Sequence, residues 1–235
     1  MKALALALLP ALVGIGVIAD ASANTNARVS TGVGTSPNAG TSPGTNAITN
    51  PADNPTLDSL FRQDQADRDA AAIDWQALAA RDAARRAQVG TLLDRGEIRS
   101  AADHYHAAMV LQHGQTLDDF RLANALATIA VAQAPGDAHY RWLAGASWDR
   151  LLMRQGQAQW YGTQYKGDAT RGLYLYPVAE DAVTDAQRKA MVGHTLQESR
   201  DHVAVAAKEM NMPVRTPPPT LEELRRESAT AGKDH

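Results

Sequence analysis

Ser100-Ala101-Ala102-Asp103-His104-Tyr105-His106-Ala107-Ala108-Met109-Val110-Leu111-Gln112-His113-Gly114 is the stretch that decides the fold class. Ser100 followed three residues later by Asp103 is a helix-opening signal, in which a side-chain oxygen serves the N–H groups that the first turn leaves over. Gly114 supplies the stop. Between them His106, Met109, Val110 and His113 stand at i, i+3, i+4 and i+7, so they share one helix face. That face is apolar except for its two imidazoles. Polar groups are costly to bury alone, so they are either paired in a core or gathered around a ligand.

The same punctuation recurs on both sides of this helix. Thr56 is placed to cap a helix through Leu57, Leu60 and Phe61, and Asp74 a second one through Trp75 and Leu78 to Leu93. Thr116 and Asp119 open a further helix that runs to about Gln133, before Pro135-Gly136. Asp137 opens one that carries Trp142, Leu143, Ala146 and Leu151, with Gly156 as its stop. Thr184 with Gln187 and Thr195 with Glu198 are two more capping boxes, and the last helix ends before Pro213. Gln159 to Tyr165 and Leu173 to Val178 break the helical period and are rich in aromatic and β-branched residues, so they predict a hairpin with a longer loop. The expected fold is mainly α, an antiparallel helical bundle or helix-pair array with one small β-hairpin. Ala123, Ala130 and Pro135 also fit the spacing of a tetratricopeptide second helix.

The ends read differently from the middle. Residues 1–23 have the form of a secretory signal peptide: Lys2, an apolar run from Ala3 to Ile18, and a small-x-small cleavage site at Ala21-Ser22-Ala23. Residues 24–55 are mostly Asn, Thr, Ser, Gly, Pro and Ala, with one Arg, one Asp and almost nothing large to bury, which predicts a flexible tether. Residues 56–210 form the expected helical domain. Residues 211–235, with Pro213, Pro217, Pro218 and Pro219 ahead of a charged stretch, are expected to be a mobile tail.

Composition excludes several functions. The chain has no cysteine, so neither a disulfide nor a thiolate metal site is possible. Its 23 Lys and Arg against 26 Asp and Glu are mixed along the sequence with no basic block, which argues against nucleic acid. No span of the membrane is expected once the signal is cleaved, and no cofactor motif is present. A metal site is disfavoured: His104 and His106 fall on nearly opposite helix faces, and His106 and His113 are about 10.5 Å apart along the axis. No Ser has a nucleophile-elbow context, and no pair of acids is recognisable for glycoside cleavage.

Candidate site residues follow from this. His106 and His113 are candidate catalytic groups, since an imidazole near neutral pKa can act as a base. The bland alternative gives Asp103 to His106 as a hydrogen-bond partner and makes His113 a cap for its helix terminus. Arg150, Arg68, Gln159, Tyr161 and Gln164 are candidate ligand-binding groups. Asp149 and Arg150 point about 100° apart on a helix, so each needs a partner elsewhere. Asp64-Gln65 and Asp67-Arg68 are the expected partners, in an ion-pair network tying the first helix to the one that carries Asp149.

Asp64-Gln65 with Arg68, His106-Ala107-Ala108 through Gln112-His113-Gly114, Asp149-Arg150, Gly156 with Gln159, and Tyr161-Gly162-Thr163-Gln164 together resemble an uncharacterised bacterial domain family. Its members carry a Gln-His pair, an Asp-Arg pair and a Gln-x-Tyr-Gly-Thr-Gln run; Pro177 and Asp185 to Arg188 match its downstream positions. The resemblance covers about Leu57 to Val192. It implies a single domain and no particular reaction. Two functions remain open at this point. One is an exported domain whose His/Arg/Gln/Tyr cluster binds or processes a small polar ligand, in the periplasm or outside a bacterium. The other is a tetratricopeptide-like module for a protein partner, with a purely structural cluster.

Overall fold

The computed structural model describes residues 51–70 and 73–231. The expected signal peptide, and the expected tether as far as residue 50, lie outside the described residues. Among those described, eight α-helices, a 3-10 turn at Glu180–Ala182 and one two-stranded antiparallel sheet make up the regular structure, so the fold is mainly helical with one small hairpin. In chain order the helices are α1 Pro55–Arg68, α2 Trp75–Asp94, α3 Ala101–Leu111, α4 Leu117–Gln133, α5 Ala138–Arg154, α6 Asp185–Val192, α7 Leu196–Glu209 and α8 Leu221–Ala231. None is long and apolar enough to cross a membrane.

The caps account for the boundaries. Ser100, Thr116, Thr184 and Thr195 each form a reciprocal capping box, and Asp74 and Asp137 each accept two N–H groups of the helix that follows. The first helix differs from expectation: Asn54 rather than Thr56 is its cap, accepting from the N–H groups of Thr56 and Leu57. Pro55 then occupies the first helical position, where its missing N–H leaves nothing unsatisfied. Asn54 is itself fastened to α3, its N–H donating to Asp103 Oδ1 at 2.7 Å. The last residues of the expected tether therefore belong to the folded domain.

Helix α3 is the central element. Ala107, Ala108, Met109, Val110 and Leu111 are all buried, five in succession, because α1, α2, α4 and α5 pack around it. Leu57, Leu60, Val89, Leu92, Leu126 and Leu143 complete this core. Short connections, 112–116 and 134–137, place α3, α4 and α5 side by side. Buried alanines at 107, 108, 123, 127, 130 and 144 keep them close. Gly145 does the same for α6: a Cβ there would stand 2.5 Å from Val192 Cγ1.

The hairpin is shorter than the sequence predicts. Strand β1 Tyr165–Lys166 pairs with β2 Tyr174–Leu175, with Tyr165 opposite Leu175 and Lys166 opposite Tyr174. Trp160 to Gly162 form a bend instead of a strand, so only the end of the predicted Gln159 to Tyr165 strand forms. The reason is local: the backbone N–H groups of this segment turn inward onto the Asp149 carboxylate instead of pairing with a second strand. Gly162, at φ +80°, supplies the left-handed residue that the turn requires.

The C-terminal segment also departs from the expected mobile tail. Val214 lies beside Leu173, with the Leu173 N–H donating to Pro213 O at 2.7 Å and the Arg215 N–H to Leu173 O at 2.9 Å. Helix α8 buries Leu224 against Tyr174 and Tyr176, and Arg225 donates to Gly156 O. The domain thus continues past Met210 at least to the buried Leu224. What holds this segment is an aromatic patch distant in sequence, not any strong pattern of its own.

Candidate functional site

The polar residues of the sequence pattern divide into a closed part and an open part. The closed part is built around Asp149, which is fully buried on α5. Its Oδ1 accepts from the N–H groups of Trp160 and Tyr161 at 2.8 and 3.0 Å; its Oδ2 accepts from the N–H and the hydroxyl of Thr163 at 3.1 and 2.8 Å. Burial pushes this carboxyl's pKa up, and these donated bonds hold it back. Gln159 closes the same loop from within. Its Oε1 accepts from the Gln164 N–H, and its Nε2 donates to the carbonyls of Gln164 and Tyr176. The Gln164 Nε2 donates to Ala146 O and Thr163 Oγ1. Asp149 and Gln159 have no hydrogen-bonding group aimed at a ligand.

A second network runs between α1 and α2. Arg68 bridges Asp64 and Asp82 at 2.8 Å each, and Arg85 bridges Asp82 at 2.6 Å and Asp67 at 2.7 Å. Arg81 completes it on Asp67 at 2.8 Å. Three arginines face three aspartates, so the ladder is neutral as a whole. It ties α1 to α2 and not, as the sequence suggested, to α5, because Asp149 finds its partners in the following loop. The ladder ends on His113, whose Nδ1 lies 3.0 Å from Asp64 Oδ1. His113 is therefore not simply a cap for its own helix.

The open part lies where the ladder meets α5. Arg150 is buried, yet no carboxylate pairs with it among the described residues. Its Nε donates to Gln164 Oε1 at 3.0 Å and its Nη1 to Gln112 O at 3.1 Å, both neutral oxygens. Burial, with Arg154 and Arg68 nearby, pushes its pKa down to about 10, so it stays charged at neutral pH. Arg154, one turn along α5, lies over the Phe120 ring; it likewise has no carboxylate partner among the described residues, and its Nε has no hydrogen-bond partner. Burial, and next Arg154, push the pKa of Lys166 down, against the pull of Glu227. His113, whose imidazole feels the charge of Arg150, has its Nε2 buried without a hydrogen-bond partner; so has Gln112 its Oε1, while the Gln112 Nε2 donates to Met109 Sδ at 2.6 Å. Burial pushes the His113 imidazole below its ordinary pKa, against the pull of Asp64. The neutral ring carries its proton on Nδ1, toward the carboxylate, and presents Nε2 as an acceptor.

The structure brings Arg68, His113, Arg150 and Gln164 of the candidate set together. It does not bring in His106. That imidazole stacks on Phe61 with ring centroids 4.5 Å apart and donates no hydrogen bond to Asp103, which instead accepts from the N–H groups of Asn54, Arg99 and Ser100. Gln159 is occupied in the closed loop. The Tyr161 ring comes near Gly145, close to where Val192 of α6 packs. Gln112 and Arg154 belong to the open part and were missed in the sequence. Only one signal could have found Arg154: it follows Arg150 at i+4 on a helix with no acid at that spacing. A separate groove of about 400 Å³ runs between β2, α7 and the Val214–Pro219 segment, lined by Tyr174, Tyr176, Val203 and Pro218, and holds none of the candidate residues.

No protein-family model, no curated protein and no solved structure matches this chain. The geometry alone must therefore carry the functional reading.

Proposed function

We propose that this chain is an exported helical domain that binds a small anionic ligand at the junction of α1, α3 and α5. One observation carries the reading: Arg150 is buried with a full positive charge, between Arg68 and Arg154, and only neutral oxygens receive its hydrogen bonds. An uncompensated buried charge is strongly destabilising, and an anion bound by Arg150 would remove that cost while gaining charge-assisted hydrogen bonds. The small residual exposure of the side chains, 7% for His113 and 11% for Arg68, suits a ligand of a few atoms and not a protein surface. The competing reading, a tetratricopeptide-like interaction module, accounts for Asp149 and Gln159 but gives Arg150 no purpose. Export is supported by the sequence of residues 1–23 and is tested by the mass of the mature protein, which should begin at Asn24.

The test of binding is calorimetric titration of the mature protein with small oxyanions and carboxylates in chloride buffer. Saturable binding is expected, with its loss in Arg150→Gln. The absence of binding by every anion, or binding that survives Arg150→Gln unchanged, would refute the assignment.

A further inference from the structure

The unpartnered atoms beside Arg150 are of two kinds, and the difference constrains the ligand. Arg150 and Arg154 offer donors. Gln112 Oε1 and His113 Nε2 are acceptors, buried and without partners, the first on the residue whose carbonyl Arg150 holds and whose Nε2 donates to Met109 Sδ, the second on its immediate successor. Asp64 fixes the second of these: with Nδ1–H committed to its carboxylate, the neutral ring has only a lone pair at Nε2. An anion with acceptor oxygens alone would satisfy the arginines and place its oxygens against the Nε2 lone pair. We propose that the ligand is an anion that carries its own O–H, of the hydrogenphosphate or small hydroxy-acid class. Its anionic oxygens would face Arg150 and Arg154, and its hydroxyl would donate to His113 Nε2. This rests on the anion-binding reading above and goes one step further, from charge to protonation.

Sulfate and phosphate separate the two ideas. They match in size and shape, and at neutral pH sulfate carries at least as much negative charge, so attraction to the arginines alone favours sulfate or neither. Phosphate retains at least one O–H at that pH, and sulfate none. Glycolate and acetate make the same comparison for carboxylates. The experiment is calorimetric titration of the mature protein with these four anions at pH 7, in the wild type, His113→Asn and Gln112→Leu. Asn at position 113 keeps an N–H for Asp64 and removes the Nε2 acceptor.

A site that rejects the ion lacking the hydroxyl should bind it about tenfold or more weakly, the effect of a buried acceptor left unpaired. A preference for phosphate over sulfate points to an inorganic ligand, and one for glycolate over acetate to a hydroxy acid; either supports the proposal. His113→Asn should shrink that preference by weakening only the hydroxyl-bearing member. Equal binding within both pairs, still dependent on Arg150, would overturn the proposal and leave the anion site standing. A preference that survives both His113→Asn and Gln112→Leu would also overturn it. Binding of none of the four anions would remove the proposal together with the anion site. The wild-type comparison stands by itself if either variant fails to fold.

Discussion

Asp149→Asn changes one atom of the side chain, and its effect can be worked out from the hydrogen bonds. The amide must place its NH2 where one carboxylate oxygen now stands. At the Oδ1 position it would face the N–H of Trp160, which has no other acceptor, and that of Tyr161, which would keep only its longer bond to Oδ2 at 3.2 Å. At the Oδ2 position it would face the N–H of Thr163, while the Thr163 hydroxyl could turn to accept from it. The second arrangement costs less: one buried N–H is left unpaired, at about 1–3 kcal/mol. The bonds that survive also lose the charge that strengthens them, and relief of a buried charge offsets part of this loss. The net expectation is a destabilisation of about 2–4 kcal/mol, which for a domain of this size lowers the melting temperature by about 5–15 °C. Denaturant unfolding of the two proteins measures the difference. Hydrogen exchange should show Trp160, Tyr161 and Thr163 losing protection first. A stability within about 0.5 kcal/mol of wild type would show that the loop is not organised by this carboxylate.

Three other outcomes follow from the geometry. Burial lowers the pKa of His106, His113 and His194 below the ordinary 6.5, so the unfolded chain takes up protons first as pH falls; stability is full above pH 6.5 and declines below it. Melting temperatures flat or rising from pH 7 to 5 would contradict this. Leu224→Asp should detach α8 from Tyr174 and Tyr176 and cost about 2–4 kcal/mol in denaturant unfolding, whereas an unchanged midpoint would return the domain boundary to Met210. Gly145→Ala places a Cβ 2.5 Å from Val192 Cγ1 and should cost about 1–3 kcal/mol by forcing α5 and α6 apart; an unaltered melting curve would mean that this contact yields freely.

The helices were legible because their ends are chemical and local. Ser100 with Asp103, Thr116 with Asp119, Thr184 with Gln187 and Thr195 with Glu198 each act within four residues, and each forms the box that its spacing predicts. The loop at Trp160–Thr163 was not legible, because its shape depends on a carboxylate more than ten residues earlier on α5. The docking of α8 was hidden for the same reason. Leu221 and Leu224 look like a short apolar pair in a charged tail until Tyr174 and Tyr176 are placed beneath them.

The candidate site was legible as a list of residue types and not as a set of roles. Asp149, Gln159 and Gln164 share a motif with Arg150 and Tyr161, and sequence spacing cannot tell a side chain that holds a loop from one that faces a ligand. Hydrogen-bond accounting can. Each oxygen of Asp149 and each polar atom of the Gln159 amide has its partner inside the loop. Arg150 has a charge with no counter-charge among the described residues, and His113 has a ring nitrogen with no partner. The two parts depend on each other through Gln164. Its backbone and Nε2 are fixed by the closed loop, and its Oε1, so positioned, receives the Arg150 Nε. The Oε1 that Gln164 extends toward Arg150 holds the guanidinium in place without supplying the counter-charge that a glutamate would.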